Sequence, residues 1–370
     1  MGVETLTRAQ LNRATLERQL LLRRSSLSPL AAVEHLVGLQ AQVPLNPYTA
    51  LWSRLDGFVP DELADLLLER RVVRTTVMRA TIHLVTADDC LLLRPLMQRV
   101  LDQELARHRE YAPALDAVDL DAVVSFARLF LAEPRTGPEL RAALAERFPG
   151  HVPAALAYAC RNLLALVQVP PRGLWKRTSQ VTYASAEAWL GRPLVAQPSL
   201  DDVVVRYLAA FGPATVADVS TWSRLTGLRE VVERLRPRLQ AFRDERGREL
   251  FDLPDAPRPS PETPAPPRFL PEYDNVLLSH ADRSRFRNGA VSHPGGLGWG
   301  ALLDDGVVSG FWRLDRDGDR ATLAVRHTRL PKRASAAVAA EARRLAAFLA
   351  PDAVEREIRL ESVDAGPNPG

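Results

Sequence analysis

The chain has 370 residues, 46% of them hydrophobic and 25% charged, with a formal net charge of +3. This is the composition of a folded globular protein, and the length predicts two to four domains. No apolar run approaches the roughly 20 residues that cross a membrane, and the charged N-terminal stretch lacks a signal-peptide core, so a cytoplasmic protein is expected.

Cys90 and Cys160 sit far apart in apolar contexts and read as core residues. Without a Cys or His cluster, neither a metal nor any other cofactor is expected. Of 48 basic residues only Lys176 and Lys332 are lysines. Codon usage in a GC-rich genome accounts for such a bias, and so does phosphate binding, which a planar guanidinium does well. In either case, chemistry through a lysine Schiff base has few candidates.

In chain order, Leu11 to Leu22 predicts a helix with Leu11, Leu16, Leu20 and Leu21 near one face. Pro29 opens a second helix over LAAVEHLVGLQAQ, and Pro60 to Arg71 forms a third on Leu63, Leu66 and Leu67. VVRTTVMRATIHLV is β-branched and alternating, which predicts a hairpin. Helices followed by a hairpin is the order of a winged helix-turn-helix, and it recurs. A helix over 121–133, the segment PRTGPELRAALAERF and the helix PAALAYACRNLLALVQV lead to a hairpin in PPRGLWKRTSQVTYA. A helix over 201–211, GPATVADVSTWSRL and LREVVERLRPRL lead to a hairpin turning at Arg246-Gly247. Arg135-Thr136-Gly137-Pro138-Glu139-Leu140 parallels Ala214-Thr215-Val216-Ala217-Asp218-Val219, so duplicated modules are expected.

The expected architecture is α+β: three tandem winged-helix modules over 1–95, 96–192 and 193–255, then a proline-rich linker over 256–267. A small C-terminal β-rich domain over 268–362 follows, with one helix and a last strand, and then a disordered tail over 363–370.

The most unusual segment is Gly38-Leu39-Gln40-Ala41-Gln42-Val43-Pro44, with two glutamines at the end of an apolar helix. Positions i and i+2 of a helix do not share a face. The pair reads as a polar last turn, or as two amides turned from a frayed end into one cavity.

The run LVGLQAQVPLNPYTALWSRL, then RTTVMRATIHLV and later FLPEYDNVLLSHADRSR, resembles the AlkZ-type DNA glycosylases over nearly the whole chain. That winged-helix family includes the enzyme that gives self-resistance to azinomycin by unhooking interstrand crosslinks. Its signature of two glutamines around one apolar residue stands here as Gln40-Ala41-Gln42. Related members carry Asp in the second place, so Gln42 sets this chain with the crosslink-unhooking branch. The resemblance implies a monofunctional glycosylase acting on N7-alkylated guanine, with Gln40 and Gln42 catalytic. The partner it implies is double-stranded DNA carrying alkylated or crosslinked guanine.

A carboxamide has no useful pKa and cannot be a general base. N7-alkylguanine is already cationic and leaves neutral, so it needs little acid help. Two amide oxygens can hold a water and stabilise an oxocarbenium-like sugar. A base tethered to the opposite strand cannot swing into a deep pocket, so an open cleft is expected. Arg79 and His83 alternate along the first hairpin and face either this cleft or an ordinary surface. Asp274 is an orienting group there or a turn former. Phosphate-contact candidates are Arg172, Lys176 and Arg177 in the second wing and Arg246 and Arg248 in the third. Arg283, Arg285 and Arg287 lie in Asp282–Asn288, a loop that enters a DNA groove or is simply solvated. A monomer is the default for a lesion without two-fold symmetry. The reading from another class is a winged-helix transcriptional regulator without catalysis, which has no need of the glutamine pair.

Overall fold

The computed structural model describes residues 3–363 apart from Asn288 and Ala290. All of the expected tail but Val363 lies outside the described residues. The fold is mixed α and β, and one order of elements occurs three times: a helix, a short extended piece, two helices and a hairpin. The first set is Pro29–His35, Leu39–Gln40, Asn46–Arg54, Pro60–Leu68, Val72–Thr76 and Ile82–Thr86. Next come Leu120–Phe130, Arg135–Thr136, Gly137–Arg147, Pro153–Leu163, Leu166–Gln168 and Thr182–Ser185. The third set is Leu200–Phe211, Ala214 bridged to Phe251, Val216–Ser223, Leu228–Leu235, Gln240–Asp244 and Glu249–Asp252.

The parallel between Thr136 and Thr215 is a shared helix cap. Thr136 Oγ1 accepts from the Glu139 N–H at 3.3 Å while the Thr136 N–H donates to the Glu139 carboxylate at 2.7 Å. Thr215 and Asp218 repeat the exchange at 3.1 and 2.8 Å. Each box starts a helix where the chain leaves the extended piece.

The helix expected over LAAVEHLVGLQAQ ends instead at His35. The Val37 N–H donates to the Glu34 carbonyl at 3.1 Å and the Gly38 N–H to the Val33 carbonyl at 2.9 Å, closing the helix end. Left-handed φ values of 53° at Val37 and 89° at Gly38 then turn the chain into a strand. The helix Asn46–Arg54 is not among the elements expected from sequence. Pro47 occupies its first turn, where a missing N–H is harmless.

The first two hairpins merge into one six-stranded antiparallel sheet in the order Leu39–Gln40, Ile82–Thr86, Val72–Thr76, Leu166–Gln168, Thr182–Ser185, Arg135–Thr136. They join where Arg74 faces Gln168 and Thr75 faces Val167. The third hairpin takes Thr5–Leu6 as a parallel neighbour. The five C-terminal strands are Arg268–Leu270, Gly300–Asp304, Val307–Asp317, Arg320–His327 and Glu355–Ser362. Helix Lys332–Leu349 links the last two, which run parallel.

The boundaries drawn from sequence at 95 and 192 do not divide the core. Val73, Met78 and Val85 pack in one cluster with Tyr207, Phe211 and Trp222. Leu51 and Leu63 pack in another with Phe269, Trp312 and Leu345. Helix Arg8–Arg18, assigned by sequence to the first module, places Leu16 against Leu270 and Phe311. Its Arg18 guanidinium lies on the Asp252 carboxylate at 2.6 and 2.8 Å, both side chains sealed from water. Proline-rich segment 256–267 is tied to the same helix, the Thr263 carbonyl accepting from Arg13 at 2.8 Å and that of Pro257 from Arg18 at 3.1 Å. No helix among the described residues is long and apolar enough to cross a membrane.

Candidate active site

Gly38 delivers Gln40 to its place. A Cβ there would lie 2.7 Å from Val85 Cγ1 and 3.0 Å from the Leu84 carbonyl oxygen, so only glycine passes this close to the Ile82–Thr86 strand. Leu39 then pairs with Leu84 and Gln40 with His83. The hairpin carrying His83 turns at Arg79 and Ala80, both left-handed with φ of 58° and 56°, and the turn returns the Arg79 side chain toward Gln40.

Arg79 Nη2 donates to Gln40 Oε1 at 3.1 Å and to Asn275 Oδ1 at 3.0 Å, and lies 3.2 Å from His83 Nε2. Its Nη1 donates to the Trp222 carbonyl at 2.8 Å. Asn275 Nδ2 donates to the Gly38 carbonyl at 3.1 Å, tying the cluster to the bend that sets the strand. A guanidinium only donates and a carbonyl only accepts, so these partners fix which end of each amide is oxygen.

His83 is fully buried, and burial first, then the Arg79 charge, holds its pKa down at about 3. The imidazole is therefore neutral, with Nδ1–H donating to the Thr81 carbonyl at 3.0 Å and Nε2 left to accept from Arg79. Neither it nor an amide can serve as an acid or base near neutral pH. Burial also draws Arg79 down to about 10, which leaves it charged.

Gln42 is exposed while Gln40 is 9% exposed. The Ala41 N–H donates to the Ile82 carbonyl at 2.8 Å. Where the next ladder bond would form, Gln42 Oε1 itself accepts from the Ile82 N–H at 3.2 Å. Arg74 Nη2 holds the Ala41 carbonyl between them at 2.9 Å. Gln42 borders a surface depression of about 230 Å³ with Thr76, Glu104, Tyr158, Arg161 and Gln168. Glu104 is engaged by Arg224 at 3.1 Å. The structure thus joins Gln40 with Arg79 and His83 and leaves Gln42 on open surface beside them. Asn275, Trp222 and Arg74 are the partners that sequence reading missed.

Asp274 corrects one expectation. It does not line the cleft but grips Arg54 through two bonds of 2.8 Å, with side-chain exposures of 2% and 1% respectively. Its Oδ1 also accepts from the Val276 N–H at 3.0 Å, a turn-forming role that sets Asn275 in place. Arg285 is a second correction. At 6% exposure it points inward to Thr15 Oγ1 at 3.0 Å and the Pro213 carbonyl at 3.2 Å, so it braces the fold and is turned away from any phosphate. Arg283 and Arg287 are exposed, and Asn288 lies outside the described residues.

The second hairpin has a long loop between its strands Leu166–Gln168 and Thr182–Ser185. There Arg172 donates to the Ser179 carbonyl at 2.8 Å, Lys176 pairs with Asp352, and Arg177 is exposed. Arg248 is held by Asp244 and Asp282 at 2.6 Å each, and Arg246 by Asp282 at 3.3 Å. The carboxylates around these two cations leave little charge for a phosphate.

The chain is a DNA glycosylase, an enzyme that cuts the bond between a base and its sugar. It belongs to the AlkZ-like DNA glycosylases, whose family model matches residues 33–348, from the helix before Gln40 to the helix on the C-terminal sheet. The solved structure of the Streptomyces sahachiroi DNA glycosylase AlkZ is similar, with a TM-score of 0.73 at 21% sequence identity over 96% of this chain and 100% of that one. No curated protein matches the sequence.

Proposed function

We propose that this glycosylase hydrolyses the N-glycosidic bond of cationic N7-alkylguanine in duplex DNA, with Gln40 and Gln42 as the catalytic pair and water as the nucleophile. Its substrates include interstrand crosslinks such as those of azinomycin, giving repair and self-resistance, and it works as a monomer on the nucleoid. The observation that carries this reading is the setting of the two amides. They stand two positions apart along one sheet edge, each carbonyl aligned by an N–H donor at 3.1 and 3.2 Å, one almost covered and one open. Each oxygen keeps a second lone pair for a water or for positive charge developing on the sugar. One well-placed dipole of this kind is worth about 3–4 kcal/mol.

The exposed position of Gln42 suits a base that remains tethered to the opposite strand. Both lysines stand elsewhere: Lys176 pairs with Asp352, and Lys332 is exposed at the start of a helix. That favours hydrolysis without a lyase step. The three helix–hairpin sets are read as winged-helix modules gripping the duplex, with Arg177, Arg283 and Arg287 on phosphates.

A duplex bearing one 7-methylguanine tests the assignment. The wild type is expected to leave alkali-labile abasic sites, and Gln40→Ala and Gln42→Ala each to lower the rate of base release by about 10²–10³ while binding undamaged duplex as before. Wild-type release by both variants overturns it.

A further inference from the structure

On the reading above, Gln40 Oε1 faces a sugar that is gaining positive charge, yet that oxygen is 3.1 Å from the Arg79 guanidinium. A full cation at this distance outweighs an amide dipole and opposes the step beside it. Among the described residues nothing cancels it. The hydrogen-bond partners of Arg79 are all neutral: the carbonyl oxygens of Gln40, Asn275 and Trp222, and Nε2 of an uncharged His83. Among the described residues no Asp or Glu pairs with Arg79, and its Nε–H donates to no protein group. Arg283 is exposed and also without an ion pair among the described residues, and its charge adds to the field on Arg79. Arg79 thus stands at the glutamine with donors to spare, and Arg283, from a separate segment, is near enough for its charge to act on it. The substrate carries one kind of anion.

We propose that a phosphodiester next to the lesion completes the site: Arg79 binds it together with Arg283, and this contact switches Gln40 on. With the phosphate in place the local charge is balanced, and the Gln40 oxygen can face the sugar. On bare protein it cannot. Arg79 is thus a positioning residue that acts through Gln40 and makes base release conditional on correct seating of the backbone.

The test uses 7-methylguanine duplexes in which one uncharged methylphosphonate replaces each flanking linkage in turn. At one linkage, wild-type kcat falls by roughly tenfold or more, matching Arg79→Gln on ordinary duplex, and Arg79→Gln loses nothing further there. Arg79→Lys, which keeps the charge, restores most of the kcat, and the Arg79→Gln loss disappears in a Gln40→Ala background. The salt slope of duplex binding drops by about one in Arg79→Gln. Equal response of wild type to every linkage overturns the proposal, as does an equal loss in Arg79→Gln and Arg79→Lys with unchanged salt slope. Should Arg79→Gln not fold, the wild-type linkage series decides alone. Failure of the glycosylase reading shows separately, as no 7-methylguanine release by wild type; the phosphate contact then stands or falls on the salt slope with undamaged duplex.

Discussion

Replacing Gly38 with alanine tests whether the bend before Gln40 sets the active site. The φ of 89° is left-handed, which costs a residue with a Cβ about 1–2 kcal/mol. The added methyl stands 2.7 Å from Val85 Cγ1, where carbon contacts settle at roughly 3.5–4.0 Å, so something must yield by about 1 Å. Val85 is fully buried, and the Leu84 carbonyl belongs to the strand facing Leu39. The movement therefore falls on Leu39–Gln40. Overpacking of this kind costs about 1–3 kcal/mol, for a total of about 2–5 kcal/mol. A shift on the order of 1 Å takes the Gln40–Arg79 bond out of hydrogen-bond range, and a misplacement of that size costs about a hundredfold in rate. Urea denaturation reads the first effect and single-turnover release of 7-methylguanine the second. Adding Val85→Ala relieves the contact and recovers the packing part of the loss, leaving the backbone part. If Gly38→Ala stays within about 0.5 kcal/mol of wild type and excises at full rate, the bend does not position Gln40.

Asp274→Ala leaves the Arg54 guanidinium buried without its partner and should cost about 3–5 kcal/mol by calorimetry, most of it recovered when both residues are made apolar; an undiminished double-mutant loss would contradict this. His83 and His280 are both held near a pKa of 3, burial being the first cause, against 6.5 when unfolded. Above about 6.5 their contribution is complete. As pH falls toward 3 the unfolded chain takes up protons that the folded one refuses, so each histidine removes about 1.4 kcal/mol per pH unit, and flat denaturation midpoints across that window would refute it. Borohydride during excision should trap no protein–DNA adduct and a uracil-containing duplex should survive intact; a trapped adduct would mean amine chemistry.

The repeating grammar of helices and hairpins was legible because each instance is local: the two capping boxes and the alternating apolar strands are written within a few residues. The glutamine pair stood out for its composition, and its setting did not. LAAVEHLVGLQAQ keeps a helical apolar spacing past His35, which masks the local closure at Val37 and Gly38, and the strand Ile82–Thr86 that Leu39–Gln40 then pairs with lies forty-odd residues away. Gln40 is held by Arg79, which is held in turn by Trp222 and Asn275 from two further segments, and no local pattern links them. Within Arg283–Arg285 a run of like charges hides the fact that one side chain points out and another in, which only the tight turn reveals. Asp274 was readable as a turn former, but its Arg54 partner lies far upstream.

The opening residues carry a consequence for synthesis. Thr5–Leu6 and the helix behind it find Arg243, Asp244 and Asp252 only after more than two hundred further residues exist. On a ribosome adding about 5–20 residues per second, that is a wait of roughly 10–50 s. Leu11 and Leu16 spend it uncovered, so the nascent chain offers a holding chaperone an apolar handle from the start, and a translation stall short of Asp252 leaves that handle showing.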